Sequence, residues 1–288
     1  MNRFKQLETQ LKPFVCFDKI RVGSKFDGGY ILPHKALLDC DCLLSFGIST
    51  NIDFEKEYSE INPKCEIFMF DPFIGLFKDF TRLISRIFKK NKPVERKILL
   101  DNSNYSIKKE SLFIQTYKRG LHWVEFYNFI GKSKIHFRKA GIRNYCDDVF
   151  TDFPTLFSKS DIKNKPSIVL KIDIEGDEYI TFDGLVDFLD NVSVILYEFH
   201  DVENNCSQLS SIIERLKEKD FFLIHTHGNN SDVLVKDTFI PNTLELSFCK
   251  QKYCNPTEID TSKYPIDGLD YPCNPQKIDY PLEFLKNI

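Results

Sequence analysis

Reactive side chains concentrate where Ile168-Val169-Leu170-Lys171-Ile172 runs directly into Asp173, Glu175, Asp177 and Glu178. An apolar run of this length reads as a buried strand of a parallel sheet, and Gly176 permits a turn before a helical run from Tyr179 to Leu189. Open sheets of this kind bind ligands beyond the carboxyl ends of their strands. Asp173 and Glu175 are therefore read as facing a ligand. Asp177 and Glu178 are read instead as a solvated helix start, because acids favour the positive end of a helix dipole.

Two further predicted strands end in titratable groups. Val192 to Phe199 runs into His200 and Asp201 after Glu198, and Phe221 to His225 continues into Thr226, His227 and Gly228. Three of the six histidines thus follow strands in one half of the chain. Imidazole suits a general base near neutral pH, although a lone histidine is as often structural. His225 and His227 are expected to face opposite sides of the extended segment, which leaves one of them as base, with His225 preferred. Asp173, Glu198 and His200 together offer an oxygen and nitrogen shell for Mg²⁺ or Mn²⁺.

The elements that must position these groups alternate. Cys42 to Ile48 is apolar and ends at Gly47, Ser49 to Asn51 and Asp53 offer caps, and Phe54 to Ile61 is amphipathic. Glu66 to Phe70 is a second strand stopped by Asp71-Pro72. Phe77 to Lys92 is basic and aromatic, with helical spacing at Phe80, Leu83, Ile84, Ile87 and Phe88. Lys134 to Ala140 is a third strand, Val149 to Phe157 a short helix and Leu209 to Leu216 another helix. Thr243 to Cys249 reads as an antiparallel partner for the strand before it, and residues 250–288 as an extended tail. Parallel neighbours need crossovers, so the pattern implies a three-layer α/β fold with a mostly parallel sheet and polar strand ends on one rim.

Ser45-Phe46-Gly47-Ile48-Ser49 carries one glycine where a dinucleotide site would carry G-x-G-x-x-G. A pyrophosphate needs several glycines to admit it to backbone amides, whereas a nucleoside ligand without phosphates does not. Asp71, at the end of the second strand, stands where an acid accepts both ribose hydroxyls. Gly47 and Asp71 together favour S-adenosyl-L-methionine over a nicotinamide cofactor.

The segments "DGGYIL", "LLSFGISTNIDFE", "IFMFDP", "LKIDIEGDEY", "ILYEFH" and "HTHGNN…LELSF", in order from about Gly23 to Phe248, resemble the FkbM-type branch of S-adenosylmethionine-dependent methyltransferases. The resemblance implies a Rossmann-like seven-stranded methyltransferase fold with helices on both faces and an antiparallel last strand. It implies a cofactor-covering segment over 1–40, a methyltransferase domain over 41–250 with a variable insertion at about 73–130, and a tail over 251–288. Gly47 and Ser49 would lie beside the methionine part of the cofactor and Asp71 on its ribose. Asp27, Gly28 and Gly29 would cover it, and Asp173 and Glu175 would border the sulfonium and the acceptor. The implied reaction is O-methylation of a sugar hydroxyl in a bacterial surface glycan (capsule or lipopolysaccharide) or its nucleotide-linked or phosphorylated precursor. Such a transfer is an in-line displacement that needs alignment first and a proton acceptor, or a metal that acidifies the hydroxyl, second. The alternatives are another small polar or phosphorylated metabolite as acceptor, a non-catalytic cofactor-binding or scaffold protein, and an NAD-dependent oxidoreductase.

Composition narrows the partners. With 288 residues and 42% hydrophobic content the chain can bury one large core, and 27 Phe with 12 Tyr make it aromatic. A net charge of −3 supplies no global field for nucleic acid. Lys78, Arg82, Arg86, Lys89, Lys90 and Lys92 would suit an anionic acceptor or a solvated helix face equally. Met1 to Lys12 lacks an apolar signal core and no run reaches the length of a membrane span, so a cytoplasmic protein is expected. The nine cysteines are then read as free thiols, with Cys40 and Cys42 lacking a second pair to complete a zinc site. A homo-oligomer is compatible with all of this.

Overall fold

The computed structural model describes residues 3–49, 51–74, 96–98, 106–108 and 122–285. Helix α1 (Arg3–Gln10) leads to the short strand β1 (Phe14–Val15) and to an antiparallel hairpin of β2 (Lys19–Gly23) and β3 (Gly29–Pro33). Helix α2 (His34–Asp39) precedes β4 (Cys42–Phe46), and α3 (Asp53–Ile61) connects it to β5 (Glu66–Phe70). A small hairpin, β6 (Arg96–Ile98) with β7 (Ser106–Lys108), and a helix α4 over 122–130 come before β8 (Ile135–Arg138). Two short strands, β9 (Gly141–Ile142) and β10 (Phe150–Thr151), pair in parallel, followed by α5 (Phe153–Ser158) and α6 (Ser160–Lys163). Then come β11 (Ile168–Ile172), α7 (Glu178–Leu185), β12 (Val192–Phe199), α8 (Val202–Glu218), β13 (Phe221–Gly228), β14 (Leu244–Lys250) and β15 (Asn255–Ile259).

The main sheet has seven strands in the order β13-β14-β12-β11-β4-β5-β8. β14 runs antiparallel to both its neighbours, and the remaining pairs are parallel. This is the Rossmann-like sheet with one antiparallel member that the sequence predicts. Alternate residues point to opposite faces, so each face acquires its own core. Leu44, Phe46, Phe68, Phe70, Leu170 and Tyr197 pack with the helices α5, α7 and α8 on one side. Leu43, Ile67, Met69, Val169, Val194 and Leu196 pack on the other with the β2–β3 hairpin, α2, α3 and α4. Phe46 stacks on Phe70 at 4.8 Å between ring centroids, tying two central strands together near the rim.

Several boundaries differ from the sequence reading. The helix predicted from Tyr179 to Leu189 ends at Leu185 and continues as a 3₁₀ turn, Val186–Asn191. The helix predicted from Leu209 begins seven residues earlier, at Val202. Val149 to Phe157 divides into β10 and α5. The helical spacing at Phe80, Leu83, Ile84, Ile87 and Phe88 and the basic patch Lys78 to Lys92 lie outside the described residues. No helix among the described residues is long and apolar enough to cross a membrane.

The largest difference is the tail. Rather than extending away, residues beyond 250 pack back onto the N-terminal segment and the β13 side of the sheet. β15 pairs with β1, and Tyr264, Cys273, Leu282, Phe284 and Leu285 are buried. Asp260 anchors this return: its amide donates to the Pro13 carbonyl at 2.8 Å, and its Oδ2 accepts from Lys19 Nζ at 2.7 Å. Proline and tyrosine at these positions shape a fitted strap, which a reading based on periodicity cannot distinguish from an extended tail.

Burial works to raise the Asp260 carboxyl, but the hydrogen bond from Lys19, with help from Ser262, outweighs it and holds the group down at about 2. A carboxyl depressed in the folded state contributes stability above its unfolded value, and that contribution is lost as pH falls through the folded value. Asp260→Asn should therefore lower the urea midpoint at pH 7. The gap to the wild type should close as the pH falls from about 4 to about 2, measured by fluorescence at a series of pH values.

Candidate functional site

The strand order reverses between β4 and β11, the position at which open α/β sheets form their ligand crevice. A cavity of about 330 Å³ opens there, lined by Gly47, Ser49, Asp71, Ile142, Arg143 and Asp173 among others. Its size falls at the lower end of small-molecule sites. Gly47 has φ +73°, and a Cβ there would stand 1.5 Å from the Asp173 carbonyl oxygen. Only glycine lets β4 and β11 end this close together. The Gly47 amide donates to the Phe70 carbonyl at 3.0 Å and the Asp173 amide to the Phe46 carbonyl at 3.2 Å, so the three strand ends are laced to one another.

Asp71 organises the far wall. Its Oδ2 accepts from the Ser49 amide at 2.9 Å, and Oδ1 accepts from the amides of Phe73 at 2.7 Å and Ile74 at 3.0 Å. Oδ1 is saturated by its two amides, and Oδ2 keeps one further acceptor site. Ser49, with φ +49°, is held in the left-handed region by this contact. Across the cavity Arg143 lies over the Phe150 ring at 4.2 Å and pairs with Asp177 at 2.6 Å. Asp177 is thus engaged by a cation, and Glu178 is not a solvated helix start. Glu178 is fully buried, and its Oε1 accepts from the amides of Ile174 at 3.2 Å and Gly176 at 3.1 Å.

A second cavity of about 360 Å³ is lined by Asp27, Asp173, Glu175, Glu198, His200, Asn229, Ser231, Asp232 and Thr243. The two cavities share Asp173 and Glu175 in their walls. Tyr30 Oη reaches Asp173 Oδ2 at 3.3 Å and Glu198 Oε2 at 3.4 Å, while Asn229 Nδ2 donates to Glu198 Oε1 at 2.8 Å. Burial pushes the Asp173 carboxyl up to about 6, with Glu175 and Asp27 adding to the rise against Lys171 and His200. Burial, then the charges of Asp173 and Glu245, raise Glu198. Burial alone would lower His200, but its hydrogen bond to Glu178 and the surrounding carboxylates hold it up at about 9.

The sequence-predicted residues therefore divide. Gly47, Ser49, Asp71, Asp173 and Glu175 meet at the first cavity, and Asp27, Glu198 and His200 join Asp173 and Glu175 at the second. Gly28 and Gly29 line neither. They form the hairpin turn, where Gly28 has φ +85° and packs against Asn51, whose Nδ2 donates to the Asp27 carbonyl.

His225 and His227, expected as candidate bases, also line neither cavity. Strand β13 continues through Gly228, so both histidines sit within the sheet opposite Ser247 and Glu245. Their two-residue spacing places them on the same face, contrary to the expectation that they oppose one another. His225 Nε2 pairs with Asp270 at 2.8 Å, and His227 bridges Glu245 at 2.7 Å and Asp279 at 3.1 Å. Asp270 and Asp279 belong to the tail, which seals both rings from solvent.

Sequence reasoning passed over Tyr30, Asn229 and Arg143. Tyr30 and Asn229 stand inside the quoted "DGGYIL" and "HTHGNN" segments, so their motifs held a signal; Arg143, just past the two-residue strand β9, had none.

No family profile matches the chain, and no curated relative matches it. Solved structures share its general layout at low identity. The precorrin-6y C5,15-methyltransferase of Geobacter metallireducens is 9% identical, with 75% of this chain and 88% of that one covered and a TM-score of 0.33. The fibrillarin pre-rRNA processing protein of Methanococcus jannaschii is 7% identical over 75% and 68% of the two chains, with a TM-score of 0.36. A Streptococcus agalactiae protein of the NADB-Rossmann superfamily is 13% identical over 75% and 67%, with a TM-score of 0.32. These superpositions are too loose to bear on activity or substrate.

Asp71→Ala should strip three backbone amides of their acceptor. The expected cost is about 1–3 kcal/mol of stability, read by urea unfolding. Loss of the ordered rim should also lower resistance to proteolysis around Ser49 to Ile74, so limited proteolysis of the folded variant is expected to cut there first.

Proposed function

We propose that the protein is an S-adenosyl-L-methionine-dependent methyltransferase that acts on a sugar hydroxyl, in a bacterial surface glycan or its nucleotide-linked or phosphorylated precursor. The observation that carries the cofactor class is the first cavity, with a single-glycine turn at β4 and an acid at the end of β5, on the sheet's switch point. This rim offers the remaining acceptor site of Asp71 Oδ2 to a ribose hydroxyl. It lacks the run of glycines with which amides would surround a pyrophosphate, which disfavours a dinucleotide. The sugar acceptor is supported by the resemblance of the quoted segments, and a second cavity rich in hydrogen-bond acceptors is compatible with a polyhydroxylated molecule.

The cofactor, when bound, supplies an electrophilic methyl group on a sulfonium. The chain's own residues supply placement. Gly47 and Ser49 shape the turn against which the cofactor's amino-acid end would rest, and Asp71 would fix the nucleoside end. Asp173 and Glu175 face both cavities, so they stand between cofactor and acceptor. Negative charge there favours the sulfonium and orients it toward the acceptor. Asp173 is tethered by Tyr30, whereas the Glu175 side chain is largely exposed and free to take the hydroxyl proton on an Oε atom. His225 and His227 line neither cavity and are assigned no proton transfer.

Calorimetry should show S-adenosyl-L-methionine and its demethylated product binding to one site, with NAD not binding. Transfer of labelled methyl to sugar nucleotides or sugar phosphates should follow. Glu175→Gln should keep affinity for the demethylated product, which carries no sulfonium, and lower kcat by about 10²- to 10⁴-fold. NAD binding in place of S-adenosyl-L-methionine would overturn the cofactor class, and cofactor binding without transfer to any glycan precursor would overturn the acceptor.

A further inference from the structure

We propose that Asp173, Glu198 and His200 form a divalent-cation site of the Mn²⁺ class in the wall of the acidic cavity. One donor atom from each lies within 4.8 Å of the other two. They come from three positions at the carboxyl rim: Asp173 directly after β11, Glu198 within β12 and His200 just past it. Donors about 2.0–2.2 Å from a shared ion stand roughly 3 to 4.4 Å apart, according to the angle between them. His200 Nε2 and Glu198 Oε1 are separated by 3.9 Å. That spacing is too wide for a hydrogen bond and fits two ligands of one ion.

The imidazole is also oriented as a ligand would be. His200 Nδ1 lies 2.9 Å from Glu178 Oε1, and Glu178 is completely buried and further held by the Ile174 and Gly176 amides. A carboxylate on one ring nitrogen orients the ring and leaves the other nitrogen to a metal, which would displace the proton that the surrounding carboxylates favour there. Here the free nitrogen, Nε2, points at Glu198 and Glu175, the latter at 3.7 Å. The second oxygen of Glu178, Oε2, is buried without a hydrogen-bond partner, so a carboxylate behind the ring carries charge that the surrounding amides do not satisfy. A dication one ring away would offset it. Glu198 is likewise aimed by others: Asn229 donates to Oε1 and Tyr30 bridges Oε2 to Asp173.

Two carboxylates and one imidazole suit Mn²⁺ better than Mg²⁺, which prefers oxygen alone, or Zn²⁺ in a closed sulfur and nitrogen shell. A neighbouring set, Asp27, Glu198 and Glu245, is a poorer host because Glu245 is already engaged by His227 and Cys273. The site is independent of the methyl-transfer reading, and that reading enters only in calling the cavity the acceptor side.

The test is titration of the full chain with Mn²⁺, followed by the loss of the free-ion EPR signal, with S-adenosyl-L-methionine binding measured separately on metal-free protein. Wild type should take up one Mn²⁺. Glu198→Gln and His200→Ala should abolish saturable binding, and Glu178→Gln should weaken it by about 10- to 100-fold. Circular dichroism on each variant separates loss of the site from loss of the fold, and His200→Ala, at a partly exposed position, keeps the test available if a buried carboxylate variant unfolds. No saturable Mn²⁺ binding by wild type would overturn the proposal. So would binding that survives His200→Ala in a folded protein, or binding lost in Asp27→Asn but retained in His200→Ala. Mn²⁺ binding without cofactor binding would keep the cation site and sink the methyltransferase reading, and the reverse result would do the opposite.

Discussion

Two central strands end almost in contact, and the rest of the rim is arranged around that approach. Gly47 and the Asp173 carbonyl leave no room for a Cβ, so β4 can turn away from β11 only through a backbone that lacks one. Once the chain turns there, the Gly47 amide reaches β5 and the Asp173 amide reaches β4. The segments that follow must then separate in opposite directions, because the strand order reverses at this point. The first cavity is the space they leave, and Asp71 keeps it open by accepting three amides from two loops.

The acidic half of the rim is built against stability. Glu178 and Glu198 are nearly or wholly buried, and Asp173 is held toward protonation by its surroundings. Burying carboxylates side by side costs free energy that no apolar packing at these positions would cost. Every one is nevertheless fixed by a named partner: Tyr30, Asn229, His200 or a backbone amide. An arrangement in which the local preference is violated and then carefully supported is what a ligand site looks like from the standpoint of folding. The contrast with His225 and His227 is instructive. Their carboxylate partners are Asp270 and Asp279 of the tail and Glu245 of β14, the rings are sealed, and the cavity beside them, about 10 Å³, is too small to admit a substrate.

How far the sequence could be read follows from which physical signal each element carries. Strands β4, β5, β11 and β12 are apolar runs buried on both faces, so composition alone marks them, and their ends place Gly47, Asp71, Asp173 and Glu198 at one rim. The convergence of Asp173, Glu198 and His200 was legible because each follows, or lies in, such a strand. The histidine assignment failed for a different reason. β13 continues through polar residues because β14 pairs with them, and pairing is a property of two segments that neither shows by itself. The tail was misread on similar grounds: its burial depends on the sheet edge and on Lys19, which is 241 residues from Asp260 in sequence. Glu178 read as a surface acid because dipole preference is a local rule, whereas its burial is set by α7 packing under the turn that Gly176 allows.

The central claim is that the space between Gly47, Asp71 and Asp173 holds S-adenosyl-L-methionine, and a crystal structure grown with S-adenosylhomocysteine tests it most directly. The account predicts density in that cavity, with a ribose hydroxyl against Asp71, the amino-acid end over the Gly47–Ser49 turn and the sulfur facing Asp173 and Glu175. Density for the ligand elsewhere on the molecule, or an unoccupied cavity at saturating ligand, would contradict it.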